Sequence, residues 1–207
     1  MARVTGPLMS FDASGSVAGS IVFSKWRGRN YVRRHAIPSN PRTPAQLCAR
    51  SILAFLGSGW KSIGGSPQAS WEDGADSLKI SAFNEYIRVN ARNWRDLFAP
   101  SKTYPATREI SAVTIDTITA VVSGRQVSLD VNIDSMTGVW GVALTRSLVT
   151  EENESIAQAV AIAVPVTLHA YFLDGPLAPD TYYYNAIAFS TDGTLGVCGT
   201  EASALVV

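Results

Sequence analysis

The sequence predicts an α+β protein: an N-terminal extended arm, a β-hairpin and a small helical module, followed by an antiparallel β-sandwich. Three observations predict it. Two short β-prone runs flank a Gly-containing turn near the N-terminus. Two stretches before residue 100 carry apolar residues at helical spacing, and the chain after residue 106 reads as short runs rich in Val, Ile, Thr and Tyr divided by turn residues. The 207 residues are 46% apolar and 16% charged, enough apolar material for a real core and a length that fits one or two domains.

Residues 1–20 are rich in Gly, Ser and Ala and read as an extended arm. Ile21-Val22-Phe23-Ser24-Lys25-Trp26 and Tyr31-Val32-Arg33-Arg34-His35, separated by Arg27-Gly28-Arg29-Asn30, read as the hairpin. A Pro-punctuated connector covers 37–42. Thr43-Pro44-Ala45-Gln46 is a helix start: Thr43 in the capping position, Pro44 in the first turn, Gln46 placed to reach back as a capping box. Ala49, Ile52, Leu53, Leu56 and Trp60 then fall on one face. Gly64-Gly65 marks a loop, Ser70-Trp71-Glu72-Asp73 a short helix, and Ser81 opens another helix with Phe83, Tyr86, Ile87, Asn90, Trp94 and Leu97 on one side.

The segment 99–105 carries two prolines and coincides with a reversal of charge, so it predicts a linker. The division is then 1–104, a basic arm, hairpin and helical docking module, and 105–207, the sandwich. Strands are expected over 113–122, 127–133, 139–145, 160–172, 182–189 and 195–207, with turns at Ser123-Gly124, Asp134-Ser135, Asp174-Gly175-Pro176 and Thr191-Asp192-Gly193. Glu151-Glu152-Asn153-Glu154 predicts an exposed loop.

A net charge of zero conceals a strong asymmetry. Residues 1–104 hold 14 Lys and Arg against six Asp and Glu, a balance of +8; residues 105–207 hold three Arg against 11 Asp and Glu, a balance of −8. No acidic residue lies between Ala13 and Trp71. Such a field is either solvated or meets an acidic partner. The candidate partner-binding residues are Lys25, Trp26, Arg27, Arg29, Arg33, Arg34, Arg42 and Arg50.

Chemistry-bearing motifs are missing from the sequence. It has no G-x-S-x-G, no phosphate-binding G-x-x-x-x-G-K-[ST] and no G-x-G-x-x-G. His35 and His169 lack Cys or carboxylates at ligand spacing. Cys48 and Cys198 form no CxxC pair and read as small apolar residues. The tryptophans Trp26, Trp60, Trp71 and Trp94 read as core or interface anchors. No apolar run reaches the ~20 residues of a membrane span, and Met1 to Pro7 has no apolar core of a signal peptide. The expectation is a non-enzymatic chain made in the cytosol, with no metal, no cofactor and no small-molecule substrate.

Two resemblances add to this reading. The stretch from Leu177 through Pro179, Tyr182, Tyr183 and Tyr184 to Asp192-Gly193 resembles the penultimate strand of fibronectin type III-like domains; Tyr182 or Tyr184 would then supply the tyrosine corner. Gly15, Gly19, Gly28, Arg33, the Asn40-Pro41-Arg42-Thr43-Pro44-Ala45-Gln46 run, Arg50, Trp60, Trp71 and Phe83-Asn84 together resemble a module of uncharacterised proteins from tailed bacteriophages and prophages. That resemblance implies a virion-associated role and no particular chemistry. Together they imply a structural protein of a tailed-phage virion, a capsid decoration (cement) protein in the preferred version and a neck or tail accessory in the next. Its partners would be capsid or tail subunits and other copies of itself. Competing readings are a nucleic-acid-binding accessory and a glycan-binding surface module acting through the sandwich loops.

Overall fold

A computed structural model describes residues 2–3 (backbone only), 14–17, 19–37, 43–106 and 114–207. Residues 38–42 of the connector expected over 37–42, Arg42 included, much of the expected arm, and the first residue of the strand expected from 113 lie outside them. The chain forms two compact units, Met1–Pro41 and Arg42–Val207.

The first unit is a four-stranded antiparallel sheet made of β1 (Ala2–Arg3), β2 (Gly15–Val17), β3 (Ile21–Trp26) and β4 (Arg29–Arg34), in the order β1-β4-β3-β2. The expected hairpin is its centre. The segment read as an arm contributes the two outer strands. Runs of two and three residues carry too little alternation to be read, but the unpaired N–H and C=O groups along a hairpin's edges template such pairing. The β3–β4 loop is narrower than expected: only Arg27 and Gly28 form it, with φ of 49° and 76°, and both Arg29 and Asn30 belong to β4. Positive φ at both positions suits a two-residue loop that follows the right-handed twist of the strands. No described residue of this unit is buried.

The second unit has three layers. Two are sheets: β5 (Ile115–Ser123), β6 (Gln126–Ile133) and β9 (His169–Asp174) in the order β5-β6-β9, facing β7 (Val139–Ser147), β8 (Ala159–Ala163), β10 (Asp180–Ser190), β11 (Leu195–Cys198) and β12 (Ala202–Val206) in the order β11-β10-β7-β8, with β12 also paired to β10. Val127, Leu129, Val131, Ile133, Phe172, Val142, Leu144, Tyr184 and Ala186 fill the space between them. The expected strand at 160–172 divides into β8 and β9, which lie in different sheets: Pro165 has no ladder donor and Thr167 turns the chain at φ 58°.

The third layer is helical: α1 (Pro44–Gly59), α2 (Gly65–Ala69), α3 (Glu72–Leu78) and α4 (Ala82–Arg95). Ser81 caps α4, accepting a bond from the Asn84 N–H at 3.2 Å. Thr43 makes no side-chain cap and Gln46 does not reach back; Pro44 has already removed one of the donors a cap would serve. The buried face of α1 is Cys48, Ile52, Phe55 and Leu56, one position round from the expected stripe, which leaves Ala49 and Leu53 exposed.

These helices cover the outer face of the β11-β10-β7-β8 sheet. Ile187 and Phe189 of β10 and Trp140 and Ala143 of β7 share a core with Phe55, Leu56, Trp71, Tyr86 and Trp94. A register shift opposite Phe189 and Ser190 inserts one extra residue in β7. It reverses the inside-outside alternation there, so Val142 and Leu144 face the sandwich core while Trp140 faces the helices.

The segment expected as a linker is held on two sides. Trp71 Nε1 donates to the Lys102 carbonyl at 2.8 Å, and the Asn90 side chain exchanges two bonds with the Ser101 backbone at 3.0 and 2.8 Å. Lys102 N donates to the Thr191 carbonyl at the end of β10. The boundary expected at 104/105 therefore falls inside the second unit.

Candidate functional site

The register of β3 against β4 pairs Ile21 with Arg34, Val22 with Arg33, Phe23 with Val32, Ser24 with Tyr31, Lys25 with Asn30 and Trp26 with Arg29. Opposed residues share a face and successive residues alternate, so the predicted docking residues sort into two groups. Lys25 and Arg34 lie on the face that carries Ile21, Phe23 and Val32. Trp26, Arg29 and Arg33 lie on the other, with Tyr31 between the two arginines. Sequence reasoning did not single out Tyr31; its position two residues from each arginine was the available signal.

On the second face, Arg29, Tyr31 and Arg33 follow one another at about 7 Å, given a rise of about 3.4 Å per residue. Trp26 is 64% exposed, and the Arg27 guanidinium at the hairpin tip sits 4.7 Å from the centre of its ring, within cation–π range. Because no Asp or Glu occurs between Ala13 and Trp71, the described residues of this unit offer these cations no carboxylate. Guanidinium forks in that setting are suited to bidentate bonds with a carboxylate or phosphate brought by another molecule. The stacked Arg27–Trp26 pair is already partly ordered, which lowers the entropy that binding removes.

Arg50 stands apart from this group. It is on α1 in the second unit, where it lines a groove with Leu47, Ser51, Ala54, Val160 and Val164.

Elsewhere the structure places polar groups in structural pairings. Arg88 donates to both carboxylate oxygens of Glu85, at 2.7 and 2.6 Å. Glu85 is 2% exposed, and these bonds hold its carboxyl below its usual pKa. Cys48 accepts from Trp94 Nε1 at 3.2 Å and donates to the Ile156 carbonyl at 3.5 Å. Burial raises the Cys198 thiol to about 11, which keeps it protonated near neutral pH. His169 has a carboxylate neighbour in space: its Nδ1 lies 2.9 Å from Asp130 Oδ1. Sequence spacing hid that pair because the two residues, 39 apart, meet across adjacent strands. Among the described residues no three His, Cys, Asp or Glu side chains converge as a metal site, and no helix is long and apolar enough to cross a membrane.

The tyrosine corner is formed by Tyr182, whose hydroxyl donates to the Ala178 carbonyl at 3.0 Å. Tyr184 instead donates to Asp174 Oδ2 at 3.0 Å, beside the Arg146–Asp174 ion pair at 2.7 Å. The strand order and this corner define the second unit's two sheets as a fibronectin type III-like, immunoglobulin-like sandwich.

No protein-family model matches the chain, and no curated protein matches it. Among solved structures, the chain is similar to a Fn3-like protein from Clostridium thermocellum, at 22% identity over 45% of this chain and 92% of that one, with a TM-score of 0.34. It is also similar to a beta-1,2-glucanase from Parabacteroides distasonis, at 16% identity over 47% of this chain, with a TM-score of 0.37. The chain spans 13% of the glucanase's length. At such scores neither likeness adds to what the strand order establishes.

Proposed function

We propose that the protein is a non-enzymatic structural component of a tailed-phage virion, made in the host cytoplasm, which docks through its basic N-terminal sheet and displays the sandwich with its helical layer. Capsid decoration is the preferred version, with a neck or tail accessory role as the alternative. One observation carries the reading: a compact sheet of two to six-residue strands in which no described residue is buried. A small sheet with none of its described residues buried is marginal in water, and covering either face would add apolar burial. The described residues of this unit offer Arg29 and Arg33 no carboxylate, which favours an acidic cover, and the −8 balance of residues 105–207 offers one on a neighbouring copy as well as on shell or tail subunits.

Co-sedimentation with assembled particles tests this. Full-length protein is expected to pellet with them, and protein lacking residues 1–42 to stay in the supernatant. Equal pelleting of the two would contradict the proposal. The alternation of Trp26 and Tyr31 with Arg29 and Arg33 on one face also favours a second reading, a nucleic-acid accessory; DNA affinity falling steeply with salt while particles are ignored would select it.

A further inference from the structure

The outer face of the β5-β6-β9 sheet is a regular grid. Its register places Thr117, Asn132 and His169 in one row, Thr119, Asp130 and Tyr171 in the next, and Val121, Ser128 and Leu173 in the third. The intervening residues, Val127, Leu129, Val131, Ala170 and Phe172, point into the core, so these nine face outward. The central strand contributes the short polar side chains Ser128, Asp130 and Asn132. The flanking strands contribute Val121 on one side and the taller Tyr171 and Leu173 on the other. A shallow groove of about 530 Å³ results, lined by Thr119, Val121, Ser128, Asp130, Tyr171 and Leu173, within the size range of small-ligand sites.

We infer that this groove binds a neutral hexose unit of a polysaccharide, with Tyr171 as the stacking platform and Asp130 as the principal hydroxyl acceptor. Tyr171 is 64% exposed, and its ring lies parallel to His169, at 8° with centroids 5.9 Å apart. His169 Nδ1 is 2.9 Å from Asp130 Oδ1; an ionised carboxylate only accepts, so Nδ1–H donates. That bond fixes the carboxylate and leaves Oδ2, the hydroxyls of Ser128 and Thr119, and His169 Nε2 as groups for a ligand.

The same grid disfavours other ligands. It has no Lys or Arg, so a phosphate or sulfate finds no fixed cation there and meets the Asp130 carboxylate instead. Asp130 is bound to His169 and the neighbouring Asp116 accepts from Asn132 Nδ2 at 2.9 Å; among the described residues no three such ligands converge, so a metal lacks a ligand set. The central strand is hydrogen-bonded on both edges, so a peptide cannot add to it as a strand. A sugar ring matches what remains: an apolar C–H face for the tyrosine and a rim of hydroxyls for the acceptors and donors beside it. This places the contact on the sheet face, away from the sandwich loops, and it stands independently of docking by the N-terminal sheet.

The test is affinity electrophoresis of full-length protein in gels containing a soluble neutral β-glucan, mannan, galactan or xylan. At least one is expected to retard the wild type. Tyr171→Ala and Asp130→Asn, each checked for folding by circular dichroism, are expected to weaken that retardation tenfold or more; Leu205→Ala, exposed on the opposite sheet, and the Arg29→Glu/Arg33→Glu pair are expected to leave it unchanged. Wild type unretarded by all four polysaccharides would overturn the proposal. So would folded Tyr171→Ala protein retarded like the wild type, or a dimer that Tyr171→Ala dissolves, since the groove would then be a subunit contact.

Discussion

Phe55 of α1 meets Phe189 of β10 edge-on, with ring centroids 5.4 Å apart and planes at 82°. Trp140 and Trp94 extend this aromatic cluster, and the helical layer and the sandwich thereby share one core. Phe55→Ala is expected to cost about 3–5 kcal/mol. Chemical denaturation of residues 42–207 should show one transition by both tryptophan fluorescence and far-ultraviolet circular dichroism. Two separated transitions would mean that the layers fold independently.

Gly141 is where the cluster is tightest. A Cβ there would lie 2.5 Å from Phe189 Cζ and 3.1 Å from Phe55 Cζ, both on buried rings that have little room to move. Gly141→Ala is expected to destabilise by about 1–3 kcal/mol, the usual cost of overpacking. A midpoint in urea equal to the wild type's would show that the rings shift freely.

The two tyrosines of β10 separate by the acceptors they use. Tyr182 donates to a neutral carbonyl and Tyr184 to the charged Asp174. Tyr182→Phe should cost about 1 kcal/mol and Tyr184→Phe about 1.5–3 kcal/mol. Asp174→Asn leaves the nearly buried Arg146 without its counter-charge and should cost about 3–5 kcal/mol. Thermal melts of the three variants give the ranking directly.

Glu85 gives the second unit an acid-sensitive contact. Its carboxyl is held below the ordinary value chiefly by the Arg88 hydrogen bonds. The folded state therefore binds its proton less readily than the unfolded chain. The stabilisation is fully present above the unfolded carboxylate range, near pH 4.3, and is lost as pH falls through the lower, folded value. Melting temperatures taken from pH 7 to pH 2.5 should show the wild type losing its advantage over Glu85→Gln across that acidic window. A constant difference at every pH would contradict this.

How much was legible in the sequence depended on how many faces of an element are covered. β6 is covered on one face only, and its alternation of Val127, Leu129 and Val131 with Ser128, Asp130 and Asn132 read directly as a strand. The corner is legible as Tyr182 or Tyr184, because it depends on a local turn; the bond from Tyr182 to Ala178, four residues away, decides between them. The sequence shows β10 as a strand, but its run from Tyr184 to Phe189 is buried throughout. Such an unbroken run signals cover on both faces, and Asn185 within it obscured the pattern. The helical layer was accordingly assigned to the basic half, since charge and prolines mark the 99–105 segment while the bonds that hold it, from Trp71, Asn90 and Thr191, come from distant parts of the chain. In the first unit the hairpin and its arginines were evident; that register divides them between two faces was not, because a loop shortened to Arg27-Gly28 sets which residues oppose one another.

The division of the arginines leads to a prediction about docking. Arg29→Glu/Arg33→Glu, both on the Trp26 face, should abolish particle binding, whereas Lys25→Glu/Arg34→Glu on the opposite face should weaken it less than threefold at physiological salt. Pelleting assays with the two double variants check this; the reverse order would mean that the apolar Ile21, Phe23 and Val32 face is the one covered.

Hydrogen exchange of the β3 and β4 amides, measured on the free protein and on protein bound to particles, bears most directly on docking. With none of the described residues of its sheet buried, the free protein should exchange these amides far faster than those of β6 and β10, and binding should slow them to comparable rates. Strand amides already as protected as β6 in the free monomer, and unchanged on binding, would contradict the account.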